Sequence, residues 1–152
     1  MKVLFVCLGN ICRSPLAEAI FKAKAQKMGL SNTLFADSCG TANYHIGDSP
    51  DPRTIKNALR NGIEIVHRGR QLSKRDLTDF DWIFAMDKGN LEIILSYTQS
   101  EAERSKVKLI RDFDPVKRGN VPDPYYGTED DFQEVFQILD RTIDNLLVSL
   151  TK

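Results

Sequence analysis

Residues 2–15 read KVLFVCLGNICRSP, and this stretch decides the fold. Residues 2–7 form a nearly unbroken apolar run rich in β-branched and aromatic types, which is typical of a strand buried on both faces of a parallel sheet. Ser14-Pro15 has the pattern of an N-cap followed by proline at the first helical position. The stretch therefore predicts a strand, a short loop and a helix in succession.

The remaining sequence continues to alternate strand and helix patterns. Short apolar runs predict strands at 33–37, 82–86 and 107–110. Cap and proline signals predict further helices that begin near Asp51, Ser73, Asp87 and Thr128. The Gly- and Pro-containing segments 38–51 and 111–127 are predicted loops. This alternation predicts an α/β fold, a single doubly wound domain over residues 1–152 with a four-stranded parallel sheet and helices on both faces.

The composition narrows the classes of protein. Of the 152 residues, 41% are apolar and 28% charged, with nine Gly and six Pro, which excludes collagen-like, low-complexity and disordered chains. Basic and acidic residues balance at 21 each, so we expect no nucleic-acid partner. No apolar run approaches the roughly 18 residues of a membrane span, and no signal-peptide pattern is present. We therefore expect no membrane partner and a cytoplasmic location.

The cysteines and histidines point to reduced thiols and to no metal. Cys7, Cys12 and Cys39 are odd in number, which argues against a disulfide framework. His45 and His67 lie far from each other and from any C-x-x-C pattern, so no set has zinc-site spacing. We expect no metal and no other cofactor.

Residues 7–14 have the pattern C-x5-R-S between the predicted strand and helix, and we call residues 8–14 the anion loop. Such a loop directs backbone N–H groups and a helix N-terminus at one point, which forms an anion site. Gly9 and Asn10 tolerate a left-handed backbone. Arg13 offers a planar fork for two phosphate oxygens. The predicted phosphate-binding residues are Leu8, Gly9, Asn10, Ile11, Cys12, Arg13 and Ser14.

Cys7, at the start of this pattern, is the predicted nucleophile. The loop amides, the helix N-terminus and Arg13 would stabilise its thiolate. Ser14 is expected to donate a hydrogen bond to that thiolate, to cap the helix, or both. The alternatives are a small buried hydrophobic residue for Cys7 and a surface salt bridge for Arg13.

The sequence resembles the low-molecular-weight protein tyrosine phosphatases over nearly the whole chain. The matching segments are CLGNICRSP at 7–15, DS at 37–38, SPDPR at 49–53, MD at 86–87 and DPYYG at 123–127. The resemblance implies a phosphoric monoester hydrolase that cleaves phosphotyrosine and small aryl phosphates through a phosphocysteine intermediate. Phosphotyrosine-containing proteins would be its substrates, and the expected state is a monomer or a weak dimer.

The resemblance also assigns residues to the acid and to the substrate pocket. Asp123 would be the acid that protonates the departing oxygen, although an Asx turn before Pro124 is the alternative for this residue. Tyr125 and Tyr126 would form one aromatic wall around a phenyl ring, with simple packing as the alternative. Tyr44 would form the opposite wall, at a position that is often Trp in the family.

Supporting roles follow from the same resemblance. Asn10 would be held in a left-handed conformation by Ser38 and His67, since strained backbone persists only when neighbours fix it. Asp87 would orient Arg13. Their alternatives are a polar loop residue for His67 and a helix cap for Asp87. Cys12 would either fill space or form a disulfide with oxidised Cys7, which permits recovery from oxidation.

Three other functions stay open at this point. A thiol-dependent arsenate reductase shares the fold, but it needs downstream relay cysteines, for which Cys39 is the sole candidate. A phosphate-binding module without turnover has no use for both a nucleophile and an acid. Relatives that are protein-arginine phosphatases tend to carry Thr where this chain has Ile11, so Ile11 favours phosphotyrosine.

Overall fold

The computed structural model describes residues 1–152, and its strands form one parallel sheet. The strands are Lys2–Cys7 (β1), Phe35–Gly40 (β2), Trp82–Ala85 (β3) and Val107–Leu109 (β4), in the order β2-β1-β3-β4. All three neighbouring pairs run parallel. The predicted four-stranded parallel sheet is confirmed.

Six α-helices connect and follow the strands. They are Arg13–Lys27 (α1), Pro52–Arg60 (α2), Asp76–Asp79 (α3), Lys88–Tyr97 (α4), Glu101–Arg104 (α5) and Glu129–Leu150 (α6), with a 3₁₀ turn at Ile110–Phe113. None of these helices combines the length and the apolar character that a bilayer crossing requires.

The helices cover both faces of the sheet, as predicted. Side chains alternate along β1, so Val3, Phe5 and Cys7 belong to a core cluster with residues of α1 and α6. Leu4 and Val6 belong to a second cluster with residues of α3 and α4. The two clusters are separated by the sheet.

The topology places a crevice at the carboxyl end of β1. From β1 the chain crosses to β2 on one side, and later to β3 on the other. The order of strands therefore reverses next to β1, and open α/β sheets bind ligands at this kind of switch point. The anion loop begins there.

The structure corrects the boundaries of the second strand. It was expected at 33–37, with a loop from residue 38, but β2 runs from Phe35 to Gly40. The reason is its register, in which Lys2 pairs with Phe35 and Cys7 with Gly40, so β2 follows β1 along its whole length. Pairing with a central strand here overrides the weak strand propensity of residues such as Ser38 and Gly40.

The start of α1 also differs from the prediction. Helix α1 begins at Arg13, with Cys12 in the N-cap position, so Ser14 does not cap it. The helices predicted from Asp51, Asp87 and Thr128 do begin at those caps. Two short elements were not predicted, α5 and the 3₁₀ turn, which occupies the start of the expected 111–127 loop.

Candidate active site

Cys7 ends β1 and lies at the base of the anion loop. Its Sγ is 3.0 Å from Ser14 Oγ and accepts a hydrogen bond from the Asn10 N–H at 3.2 Å. Ser14 is fully buried, so this hydroxyl has no solvent to compete with the sulfur. Of the two roles expected for Ser14, the structure shows the contact with Cys7 and not the helix cap.

Asn10 holds the loop in its curled form. Its φ of 58° makes it the non-glycine residue with a left-handed backbone. Its side-chain amide donates to Ser14 Oγ at 2.8 Å and to Ser38 Oγ at 3.0 Å. Its Oδ1 accepts the Arg70 N–H at 3.1 Å and lies 2.7 Å from His67 Nε2. These contacts fix a strained conformation from several sides.

The glycines act differently from the prediction. Gly9 does not have a positive φ, so Asn10 alone supplies the left-handed turn of the loop. A Cβ at Gly9 would lie 3.2 Å from the His45 ring. A Cβ at Gly40 would lie 2.7 Å from the Leu8 carbonyl oxygen, so the end of β2 can approach the loop only as glycine.

Arg13 is oriented from behind by two acceptors. Its Nη1 donates to Asp87 Oδ2 at 2.7 Å and to the Val121 carbonyl at 3.0 Å. Asp87 uses its other oxygen to cap α4, accepting the Asn90 N–H at 2.7 Å. Arg13 is only 2% exposed, which excludes the surface salt bridge considered above.

Asp123 extends over the loop from the opposite end of the chain. Its Oδ1 accepts the Tyr125 N–H at 3.1 Å, which is the Asx-turn contact, while its Oδ2 lies 3.7 Å from Arg13 Nη2. The side chain is 48% exposed. One oxygen therefore fixes the turn and the other faces the anion loop, so the two interpretations of Asp123 are compatible.

A cavity of about 280 Å³ lies above Cys7. Its lining contains Cys7, Leu8, Gly9, Ile11, Cys12, Arg13, Tyr44, His45, Asp123, Tyr125 and Tyr126. The predicted nucleophile, arginine, acid and three tyrosines therefore meet in one place. Asn10, Ser14, Ser38, His67 and Asp87 do not line the cavity. Asn10 and Ser14 belong to the anion loop itself, and Ser38, His67 and Asp87 contact loop residues from behind.

The three tyrosines lie at the mouth of this cavity and differ in how far they are exposed to solvent. Tyr125 is 38% exposed, and its ring meets that of Tyr126 edge to face at 4.9 Å between centroids. Tyr126 is almost fully exposed and Tyr44 is mostly exposed. Tyr125 is thus the most enclosed wall, and the other two form an aromatic rim.

Two residues of the site were not predicted. His45 lines the cavity beside Tyr44, and its Nδ1 lies 3.1 Å from Asp48 Oδ2. Glu18, on α1, is buried, and its Oε1 accepts a hydrogen bond from Ser38 Oγ at 2.7 Å. Adjacency to Tyr44 was the available signal for His45, whereas no local pattern marks Glu18.

Glu18, Asp37 and His67 form the one cluster whose spacing would suit a cation, with ligand atoms within 4.8 Å of one another. The oxygens of Glu18 are already engaged by Ser38 and by the ammonium of Lys22. Burial raises the pKa of Glu18, but hydrogen bonds from His67, Lys22 and Ser38 together lower it by more than burial raises it. The pKa of Glu18 is therefore below its ordinary value. The cluster fits a charged support beneath Asn10 better than a metal site.

The three cysteines are free and occupy different environments. Cys12 lines the cavity with Cys7, and burial raises its pKa to about 12, against a weaker opposing effect of a hydrogen bond with Thr54. Cys39 is fully buried in the cluster on the opposite face of the sheet, where burial raises its pKa. This position does not suit the relay thiol of an arsenate reductase.

Comparisons with known proteins agree on one family. The family model described as "Low molecular weight phosphotyrosine protein phosphatase" matches residues 2–152. The low molecular weight phosphotyrosine protein phosphatase of Schizosaccharomyces pombe is 44% identical over 152 residues, which are 99% of this chain and 97% of the relative. A protein tyrosine phosphatase of Entamoeba histolytica superposes with a TM-score of 0.96 at 41% identity, over 99% of this chain and 97% of that one.

A further solved structure is the YwlE arginine phosphatase, in a mutant form with a phosphorylated active site serine. It superposes with a TM-score of 0.89 at 28% identity, over 100% of this chain and 97% of that one.

Proposed function

We propose that this chain, which belongs to the low molecular weight phosphotyrosine protein phosphatase family, hydrolyses phosphotyrosine in substrate proteins and small aryl phosphates at the cavity above Cys7. The relatives are named as phosphatases, and the chain is a phosphoric monoester hydrolase of this family. The observation that carries the proposal is the meeting of Cys7, Arg13 and Asp123 in one cavity with aromatic rings at its mouth.

In the first step, the Cys7 thiolate attacks phosphorus while the bond from phosphorus to the tyrosine oxygen breaks. Asp123, in its protonated form, gives its proton to that departing oxygen. The products are phosphocysteine and a free tyrosine hydroxyl. Arg13 and the loop amides hold the three equatorial oxygens, where the negative charge of the transition state is spread.

In the second step, water attacks the phosphocysteine. Asp123, now a carboxylate, takes the proton of the water, and the bond between sulfur and phosphorus breaks to release phosphate and the Cys7 thiolate. The phosphorylated active site serine of the YwlE mutant supports a covalent step of this kind.

Arg13 and the amides supply the positive field on their own, so we propose that turnover needs no metal ion. The test is hydrolysis of phosphotyrosine, phosphoserine and phosphoarginine peptides by the parent and by Cys7→Ser, with and without a chelator, and with arsenate reduction measured alongside. We expect the phosphotyrosine peptide to be cleaved fastest, with no effect of the chelator and no turnover by Cys7→Ser. Turnover by Cys7→Ser, or its loss in the chelator, would contradict this mechanism.

Protein-arginine phosphatase activity is the second candidate, since an arginine phosphatase superposes on this chain. Ile11 lines the cavity beside Cys12, and by the resemblance stated above its apolar side chain favours phosphotyrosine. The phosphoarginine peptide in the same assay separates the two activities.

A cytoplasmic location and a monomeric or weakly dimeric state also belong to the proposal. The three free, buried cysteines support a reducing compartment. Sedimentation of the purified chain over a range of concentrations tests its state of association.

A further inference from the structure

Arg53, in the first turn of α2, lies against the aromatic wall without lining the cavity. The centre of its guanidinium is 5.3 Å from the ring centroid of Tyr125 and 4.7 Å from that of Phe132. Both distances are within the roughly 6 Å range over which a cation is attracted to an aromatic face. Arg53 therefore joins α2 to the wall and to the start of α6.

Asp51 fixes the plane of this guanidinium. Its two carboxylate oxygens accept hydrogen bonds from Arg53 Nε at 3.1 Å and from Nη2 at 2.8 Å, a bidentate arrangement. The Asp51 N–H donates to the Ile11 carbonyl of the anion loop at 2.8 Å. Asp51 therefore links the orientation of Arg53 to the backbone of the anion loop, which would hold the phosphate.

Tyr125 continues this chain of contacts to the acid. Its N–H donates to Asp123 Oδ1, so a displaced Tyr125 would also displace Asp123. Phe132, the other ring below Arg53, belongs to a small buried cluster with Ile11 and Cys12. Arg53 lies where contacts from the anion loop, the wall and the acid converge.

We propose that Arg53 is a positioning residue, which holds Tyr125 against the bound aryl group and, through the Tyr125 N–H, holds Asp123 over the leaving oxygen. This inference rests on the proposed function, because it concerns an aryl phosphate in the cavity. It assigns Arg53 to recognition of the aryl group and not to binding of the phosphate.

Arg60 provides a matched control. It lies on the same helix, and its Nη1 pairs with Glu129 at the start of α6, so it also joins α2 to α6. Arg60 binds Glu129 and not Tyr125 or Asp51. Both Arg60→Ala and Arg53→Ala therefore remove a contact between α2 and α6. Only Arg53→Ala also removes the contact with Tyr125 of the aromatic wall.

The first test compares the two variants with the parent for kcat and KM on phenyl phosphate and p-nitrophenyl phosphate, and for the inhibition constant of inorganic phosphate. We expect Arg53→Ala to raise KM for both esters by about fivefold, from loss of the cation–aromatic contact. It should lower kcat more for phenyl phosphate, whose leaving group needs the proton of Asp123. The inhibition constant of phosphate should stay within about twofold, and Arg60→Ala should leave all three quantities near those of the parent.

Arg53→Lys tests the geometry of the clamp. Lysine keeps the charge, but its single nitrogen cannot bind both oxygens of Asp51 while lying flat on a ring. We expect Arg53→Lys to reverse less than half of the rise in KM that Arg53→Ala causes. Full recovery, or an equal rise in the KM for esters and in the inhibition constant of phosphate, would overturn the proposal.

A double-mutant cycle with Tyr125→Leu identifies the route of the effect. If Arg53 acts through Tyr125, adding Arg53→Ala to Tyr125→Leu should change KM by less than about 1.5-fold, and fully multiplicative effects would overturn the proposal. Where Arg53→Ala is too unstable to assay, Arg53→Lys takes its place in the cycle: added to Tyr125→Leu it should likewise change KM by less than about 1.5-fold, and a fully multiplicative effect would overturn the proposal. A parent without activity on either ester would instead refute the proposed function.

Discussion

Asp123 uses its two carboxylate oxygens for different purposes, one in a turn and one towards Arg13. Asp123→Asn keeps an oxygen for the turn but has no proton of the required acidity. We expect kcat/KM, which covers only the steps up to formation of phosphocysteine, to fall by about a hundredfold on phenyl phosphate and much less on p-nitrophenyl phosphate, whose leaving group departs without protonation. Equal losses on the two esters would remove Asp123 from the role of acid.

Cys12 is a neutral thiol beside the proposed nucleophile. Peroxide should oxidise the Cys7 thiolate to sulfenic acid with release of hydroxide, and the Cys12 thiol should then condense with it to a disulfide, releasing water. We expect the parent to regain most of its starting activity in a thiol reductant. Cys12→Ser should regain little of its own starting activity, because Cys7 proceeds to sulfinic and sulfonic acid.

Cys39→Ser is the control for this experiment and should recover like the parent. Mass spectrometry of the oxidised parent should find Cys7 joined to Cys12. Equal recovery by Cys12→Ser and the parent would show that Cys12 only fills space, and a linkage to Cys39 would revive the reductase hypothesis.

At the scale of elements, one buried carboxylate joins the 3₁₀ turn to α6. The Asp114 side chain is fully buried and accepts hydrogen bonds from Arg141, the Val116 N–H and Arg111. Burial raises the pKa of Asp114, but these hydrogen bonds lower it more, so its pKa in the folded protein is well below the ordinary value. The loop that carries Asp123 begins at this residue.

A lowered folded-state pKa stabilises the protein above the pKa of the unfolded chain, near 3.9, and this stabilisation is lost as the pH falls towards the folded value. We therefore expect Asp114→Asn to reduce the free energy of unfolding by about 2 kcal/mol at about pH 7. The difference from the parent should shrink below about pH 4. Urea unfolding over this range measures it, with the exposed neighbour Asp112→Asn as control. A difference independent of pH would contradict the role of the Asp114 charge.

The elements also show where sequence patterns succeed and where they do not. Helix caps depend on residues a few positions apart, so Asp51, Asp87 and Thr128 could be recognised from the sequence. The end of β2 depends on pairing with β1, which lies far away in sequence, so Ser38 was expected in a loop although the family resemblance had identified it as a partner of Asn10.

At the scale of the whole molecule, the same distinction applies to the site. Cys7 and Arg13 end and begin the neighbouring elements β1 and α1, so an anion site with a candidate nucleophile could be predicted from their spacing and from the strand before them. Asp123 needed the family resemblance, because its approach to Arg13 depends on the whole sheet topology. Arg53 stood within the quoted SPDPR segment without a role, since only the folded chain brings it to Tyr125.

Cys39 lies in the core on the opposite face of the sheet from Cys7, so its reactivity reports how often the protein unfolds. Alkylation by a small thiol reagent should reach Cys7 quickly unless phosphate fills the cavity, whereas Cys39, with no exposed surface, should react only when its side of the core opens. We expect the native-state rate at Cys39, followed by mass spectrometry, to rise with urea as the unfolded fraction rises. A fast rate at Cys39 that urea does not change would mean that this face of the core opens locally. One reagent thus reports two processes in the same chain: its rate at Cys7 measures how far phosphate fills the cavity, and its rate at Cys39 measures global unfolding.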